Sequence, residues 1–317
     1  MRVLFAGTPS FALPSLEKLA SCFDVVGVLT NPDAPAGRGR QLKPSPVKQK
    51  ALELGLRVLT PFRLDADART EVSALKPDVL AVVAYGKIFG PKFLSLFPMG
   101  GVNVHPSLLP LYRGPAPIPF AILNRDSETG ITVQKLALKM DSGDIILQEK
   151  RKLDFTETTA ELTEWASFRG AELLADALRL MEDGKAKSVA QDESKATYCR
   201  LLSKEDGLID WNESSLMIDA MVRAFIPWPR AYTFLDKEEL QILEARPLPE
   251  EDTDYEPGTI VGMDRKQGIL VQTGKGLLSL LKLQRRAKKP LVYKDFINGM
   301  PDLTGKKLGG PDETNNR

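Results

Sequence analysis

The chain has a single histidine, His105, and only two cysteines, Cys22 and Cys199. The thiols lie far apart and form no Cys-x-x-Cys pair. With one imidazole beside them they argue against a His/Cys zinc centre, leaving an all-carboxylate Mg²⁺ site open. Charge of one sign is also lacking. Against 43 Lys and Arg stand 42 Asp and Glu, so the net charge is +1 and bulk charge does not make the molecule a polyanion binder. Any nucleic-acid site must be a local patch. No run of ~20 apolar residues occurs, and the start shows no basic segment followed by an apolar one. The expectation is a cytoplasmic protein with no membrane segment. Internal repeats and low-complexity tracts are missing too.

What is present is an ordinary globular composition, 43% apolar and 27% charged, over 317 residues, more than one typical domain. Arg2 to Ala6 reads as a buried strand ended by Gly7-Thr8-Pro9, with Ser10 able to cap a helix to about Ala20. Val25 to Leu29 and Arg57 to Leu59 read as further strands, and Asp65 to Leu75 as a helix. Asp78 to Ala84 is a continuous apolar strand, suited to a sheet covered on both faces. Gly7 begins no GxGxxG, so a dinucleotide turn is not supported. This pattern predicts an α/β fold: a Rossmann-like, mostly parallel sheet. A long amphipathic helix over Thr156 to Gly184 closes it, giving a first domain over 1–184. Lys185 to Ser203 is polar and weakly patterned and reads as a linker. From Lys204 short strands broken by Gly, Pro and acidic turns predict a small, OB-like β-barrel over 204–317.

Residues 31–50 depart from this texture. From Pro35 to Lys50 there are five basic residues, Arg38, Arg40, Lys43, Lys48 and Lys50, and no acid, among prolines and glycines. Composition alone allows a solvated linker or a phosphate-contacting loop. A second basic stretch, Lys275 to Arg317, carries ten basic residues against four acidic. It reads as a solvated face or an RNA-facing patch.

The chemistry concentrates in GVNVHPSLLPLYRGPAPIPFAILNRDSETGITVQKLALKMDSGD, residues 101–144. Asn103 and His105 are two apart at the end of a strand, so both side chains project to one side. Pro106 stops the strand, and ligands of open parallel sheets bind at such carboxyl ends. Asp141 returns in a turn sequence, Met-Asp-Ser-Gly-Asp. An amide donor, an imidazole and a carboxylate can stabilise an oxyanion and move a proton. A packed histidine, a turn-forming Asn and a capping Asp are the bland alternative.

These residues carry a resemblance. Asn103-Val-His105-Pro-Ser-Leu-Leu-Pro110, Tyr112-Arg-Gly-Pro-Ala-Pro-Ile118 and Met140-Asp-Ser-Gly-Asp144 resemble the signature of the formyltetrahydrofolate-dependent formyltransferases. Asn103, His105 and Asp141 match that family's catalytic set one for one. The insertion's Pro-Ala-Gly-Arg-Gly core, the Arg223-Ala-Phe-Ile-Pro-Trp-Pro229 segment and the barrel resemble the tRNA-modifying branch, the methionyl-tRNA formyltransferases. In that family Ile226 is commonly Asn and Ala287 usually Gly. The resemblance implies 10-formyltetrahydrofolate as cosubstrate, held by Ser107, Leu108, Leu109, Pro110, Met140, Tyr85, Gly86 and Lys87. It implies methionyl initiator tRNA as acceptor, contacted by Arg38, Arg40 and Lys43, in a monomeric enzyme. A formyltransferase for sugar nucleotides or purine precursors and a catalytically silent folate- or RNA-binding module are the competing readings. The insertion and barrel weigh against the first, the intact Asn/His/Asp set against the second.

Overall fold

Val3 to Ala6 are completely buried at the centre of β1 (Arg2–Gly7). In the computed structural model, which describes residues 1–36, 41–300 and 302–310, this strand is followed by α1 (Leu13–Cys22) and β2 (Asp24–Leu29). Ser10 does not cap α1. It opens a short 3-10 turn, Ser10–Ala12, and the helix begins with Pro14 in its first turn. A small antiparallel hairpin comes next, β3 (Ala34–Ala36) and β4 (Gln41–Lys43), where the sequence suggested only a loop. Then follow α2 (Pro46–Glu53), β5 (Val58–Leu59), α3 (Ala66–Ala74), β6 (Val79–Val83), α4 (Pro91–Leu94) and β7 (Gly101–His105). The series ends with α5 (Pro117–Leu123), β8 (Glu128–Lys135), β9 (Ile145–Lys152) and α6 (Thr159–Glu182).

The sheet order is β5-β2-β1-β6-β7-β8-β9. The first five strands are parallel, and β8 runs antiparallel to β7. All five residues of β6 are buried, as its apolar run requires. At roughly 1.5–3 kcal/mol per buried Val or Leu side chain, β6 alone anchors the sheet. The chain steps outward from β1 to β2 and β5, then returns to β6 on the other side of β1. The reversal opens a crevice at the carboxyl ends of β1 and β6. Gly7 permits their approach: an added Cβ would lie 2.9 Å from the Val83 carbonyl oxygen and from Ala12. Thr8 Oγ1 and Asn31 Nδ2 both donate to the Tyr85 carbonyl, at 3.4 and 3.2 Å, tying three strand ends together.

The start of α6 is fixed by a capping box. The Thr158 hydroxyl accepts from the Glu161 N–H, and the Glu161 carboxylate accepts from the Thr158 N–H.

The division of the chain differs from the expected one. One compact unit comprises Met1–Pro117, Glu128–Arg151 and Thr163–Cys199; the other takes Ile118–Ser127, Lys152–Leu162 and the chain from Arg200. The segment 185–203 is therefore not a free linker. Up to Cys199 it belongs to the first unit, where Ser188, Gln191 and Glu193 hydrogen-bond to Lys135, Gln134 and Arg113.

In the second unit α7 (Ser215–Ala224) is a helix that the expectation of short strands missed. Ser214 caps it by accepting from the Met217 N–H. The strands are β10 (Ala231–Leu235), β11 (Glu238–Leu248), β12 (Ile260–Asp264), β13 (Gly268–Gln272), β14 (Leu277–Arg285) and β15 (Leu291–Val292), followed by α8 (Tyr293–Asn298). The order β10-β11-β14-β13-β12 has antiparallel neighbours throughout, with β15 on β14. Residues 305–309 close the sheet. Gly309 and Phe234 exchange backbone hydrogen bonds on one edge, while Gly305, Lys306 and Leu308 bond to Ile260 and Gly258 on the other. Inside lie Trp211, Val222, Ile242, Val271, Leu278 and Leu280. Ala287 has φ 59°, so it holds the left-handed turn that a glycine adopts without strain.

Candidate active site

β7 presents Asn103 and His105 on one face, opposite Gln134 and Thr132 of β8. His105 is buried, and its Nε2 lies 2.8 Å from the Tyr112 carbonyl. A carbonyl only accepts, so Nε2 carries a hydrogen, and Nδ1 is the nitrogen turned toward Asp141. Nδ1 lies 3.6 Å from Asp141 Oδ2. That distance allows charge pairing but exceeds a good hydrogen bond. The hydrogen bond that orients the ring runs to the Tyr112 carbonyl, not to Asp141.

Asp141 is itself held from two sides. Its Oδ2 accepts from the Gly114 N–H at 2.9 Å and its Oδ1 from Gln134 Nε2 at 3.0 Å. Among the described residues the Asn103 amide has no hydrogen-bond partner, so its N–H donors are available to a bound group. Asn103 is half-buried. Ala84, Tyr112 and Asp141 have φ of 49°, 57° and 50°. Three non-glycine residues in the left-handed region around one crevice mark backbone held in place by its surroundings.

The loop between His105 and Gly114 is stitched to the sheet. Thr132 Oγ1 donates to the Ser107 carbonyl at 2.7 Å and accepts from the Leu109 N–H at 3.2 Å. Gln148 Nε2 donates to the Leu109 carbonyl and to Thr132 Oγ1. The Ser107 hydroxyl donates to the Leu111 carbonyl at 2.6 Å. Ser107, Leu108 and Leu109 are buried and Pro110 half-buried. Their buried side chains shape the loop.

The remaining expected folate residues sit at the ends of β6 and β8. The Tyr85 ring is 1% exposed and stacks on Phe89, centroids 5.4 Å apart; burial pushes its hydroxyl up to about 12. Tyr85 therefore packs in the core. Gly86 follows with φ 84°. Lys87 Nζ donates to the Pro61 and Phe62 carbonyls at 2.7 and 3.0 Å, and burial lowers its pKa. Met140 is exposed, as are Ile88 and Leu138. The last two were not singled out from sequence, although apolar residues bordering Gly86-Lys87 and Met140 were a readable signal.

Sequence reasoning also missed Gln134, Arg113, Gln191 and Glu193. Arg113 is fully buried yet charged. It pairs with Glu193 at 2.6 Å and with the Gln191 side chain at 2.8 Å. The Arg113 guanidinium, then Lys139, holds the Glu193 carboxyl down to about 2, and Glu193 in turn raises Arg113. Gln134 was legible as a polar residue alternating with buried Ile131 and Val133. Gln191 and Glu193 were not, because they lie in a segment without periodicity.

Of the expected RNA contacts, Lys43 is exposed on β4. Arg38 and Arg40 lie outside the described residues. The described residues contain no cluster of three or more His, Cys, Asp or Glu able to hold a metal, and none of their helices is long and apolar enough to cross a membrane.

Comparison with known proteins agrees with this architecture. A formyl transferase family model matches residues 1–178, and the model of the formyl transferase C-terminal domain matches residues 201–301. The methionyl-tRNA formyltransferase of Treponema denticola is 47% identical over 315 residues, 96% of this chain and 98% of that protein. That of a Roseiflexus species is 44% identical, over 98% of this chain and 95% of its own length. Among solved structures, an N-formyltransferase from Helicobacter canadensis, in complex with folinic acid and dTDP-3-aminofucose, superposes with a TM-score of 0.66 at 18% identity, covering 90% of this chain and 99% of that one. At that identity the likeness speaks for the fold alone. Matched by both family models and by near-full-length relatives, the chain belongs to the formyl transferase family, among the methionyl-tRNA formyltransferases.

Proposed function

We propose that this chain transfers the formyl group of 10-formyltetrahydrofolate to the α-amino group of methionine esterified to initiator tRNA. What carries the reading is one coincidence. The Asn103–His105–Asp141 cluster lies at the carboxyl end of β7, in a chain similar over nearly its full length to methionyl-tRNA formyltransferases.

The geometry supports the following roles. Attack of the amine on the formyl carbon turns the carbonyl oxygen into an oxyanion. The uncommitted Asn103 amide N–H is suited to donate to it. His105 Nε2 is engaged by the Tyr112 carbonyl, so Nδ1 is the atom that takes the amine's proton and passes it to the departing folate nitrogen. Asp141 Oδ2 offsets the imidazolium charge during that transfer. The exposed apolar side chains of Ile88, Leu138 and Met140 suit the planar ring of a folate, with the backbone of Gly86 and of the Ser107–Pro110 loop supplying polar contacts.

Acceptor recognition is assigned to basic surface. Lys43 and, by sequence, Arg38 and Arg40 contact phosphates. In the second unit Lys282, Arg286, Lys288, Lys289 and Lys294 are exposed around β14 and β15 and make a further candidate RNA face of that barrel. The reading carries with it a monomeric, cytoplasmic enzyme that needs no metal.

The test is direct. Purified chain, given 10-formyltetrahydrofolate, should formylate methionine on initiator tRNA and leave methionine on elongator tRNA unmodified. Equal rates on both tRNAs, or no transfer to either, would reject it.

A further inference from the structure

We infer that Gln191 is a positioning residue for the catalytic carboxylate, fixing the Asp141 turn to the buried Arg113. The inference rests on the catalytic reading of Asp141 given above.

Gln191 stands in the polar segment after α6, and its amide is used at both ends. Nε2 donates to the Asp141 carbonyl at 2.9 Å and to the Gly143 carbonyl at 2.7 Å. The Gln134 Oε1 lies 3.2 Å from the same nitrogen. An NH2 group has two hydrogens, so the two shorter contacts take them. Oε1 accepts from Arg113 Nε at 3.1 Å and Nη2 at 2.8 Å. The orientation of the amide is forced, because carbonyls only accept and guanidinium only donates.

These contacts bracket the catalytic carboxylate. Asp141 sits in a turn closed by the Ser142 N–H on the Lys139 carbonyl, Gly143 follows it two residues on, and Asp141 is in the left-handed region at φ 50°. Gly143 packs so closely that an added Cβ would lie 1.8 Å from the Lys135 carbonyl oxygen. The other end of the bridge, Arg113, is 0% exposed and follows Tyr112, whose carbonyl orients His105. Gln191 therefore joins the strand-end loop that aims the imidazole to the turn that aims the carboxylate. A displacement of about 1 Å of a catalytic group can cost on the order of 10²-fold in rate.

Gln191→Met keeps the length and removes both functions. It should lower kcat at least about tenfold, with KM for 10-formyltetrahydrofolate and for methionyl-tRNA within about twofold of wild type. The decisive readout is the double variant. If Gln191 acts through Asp141, adding Gln191→Met to Asp141→Ala should cost less than about a further twofold in single-turnover rate, because coupled groups are not additive. Losses that multiply in the double variant, with Asp141→Ala itself nearly inactive, would overturn this inference alone. A fully active Asp141→Ala would overturn it together with the catalytic reading. Should Gln191→Met fail to fold, Gln191→Glu repeats the cycle with nearly unchanged volume. It retains the Arg113 contact but sets a carboxylate oxygen against the Asp141 and Gly143 carbonyls, and wild-type kcat in that variant would equally overturn the inference.

Discussion

The loop from His105 to Gly114 and the insertion from Asn31 to Lys50 both leave the carboxyl ends of parallel strands, and they solve opposite problems. In the first, polar groups are buried and partnered: Ser107 with Leu111, His105 with Tyr112, Arg113 with Glu193 and Gln191. In the second, Gln41, Leu42 and Lys43 are all exposed on a two-stranded hairpin. Burial with full hydrogen bonding fixes atoms to within the tolerance that bond making needs. Exposed cations on a small hairpin contribute little to stability but supply counterion release to a polyanion. On the proposed function, chemistry belongs to the first region and recognition of the acceptor to the second, and each variant below is a way to separate them.

The largest effect is expected on β7, just before the buried loop. Asn103→Ala removes an oxyanion donor and should reduce turnover by ~10² to 10³, about 2.7–4 kcal/mol of barrier. Folate affinity, measured by fluorescence titration, should fall far less. Retention of more than about a tenth of the turnover would take Asn103 out of the chemistry.

Gly114→Ala strikes that loop through its backbone. The new Cβ would lie 2.3 Å from the Cys199 carbonyl oxygen, at a φ of 118° that side chains rarely adopt. A loss on the order of 1–3 kcal/mol in denaturant unfolding is expected. Turnover should fall with it, since the Gly114 N–H is a partner of Asp141. A stable, fully active variant would show that the loop tolerates displacement.

The basic insertion is broken by replacing Arg38, Arg40 and Lys43 together with alanine. Each lost phosphate contact should flatten the slope of log affinity against log salt by roughly one. KM for charged tRNA should rise, while KM for folate and the melting temperature stay near wild type. Unchanged tRNA affinity and salt slope would move recognition to the basic face of the second unit.

The smallest effect concerns the rim of the buried region. Glu193 is held down to about 2, chiefly by Arg113. A carboxyl with a depressed folded-state pKa contributes stability above its unfolded value, near 4.5, and loses it as pH falls toward about 2. Glu193→Gln should flatten the melting-temperature profile across that acid window and leave it nearly unchanged at pH 7 and above in shape. The side chain is about half-exposed, so solvent screens the pair and the change is small. An identical acid limb in both proteins would mean that the pair does not differ between folded and unfolded chain.

Much of this was legible in the sequence for physical reasons. DVLAVVA could only be a strand covered on both faces, and the i, i+2 spacing of Asn103 and His105 put both on one face at its neighbour's end. The Asp141 turn declared itself by composition. What remained hidden was long-range polar pairing. Gln191 and Glu193 sit in a stretch with no period, and nothing local states that Arg113 lies beneath them. The role of the Tyr112 carbonyl was hidden as well, since a backbone acceptor leaves no mark in the side-chain pattern. α7 was missed although Ser214 and the i, i+3, i+4 spacing of Ile218, Met221 and Val222 announce it, because the strand texture around it dominated the reading.

The most direct test is the single-turnover rate of formyl transfer to methionyl initiator tRNA, at saturating folate and tRNA, for His105→Ala and for the Arg38/Arg40/Lys43 triple alanine variant. The account predicts a loss of at least about 10² for His105→Ala and a wild-type rate for the triple variant once tRNA saturates it. A slow triple variant at saturation, or a His105→Ala protein with wild-type rate, would contradict the separation of chemistry from recognition.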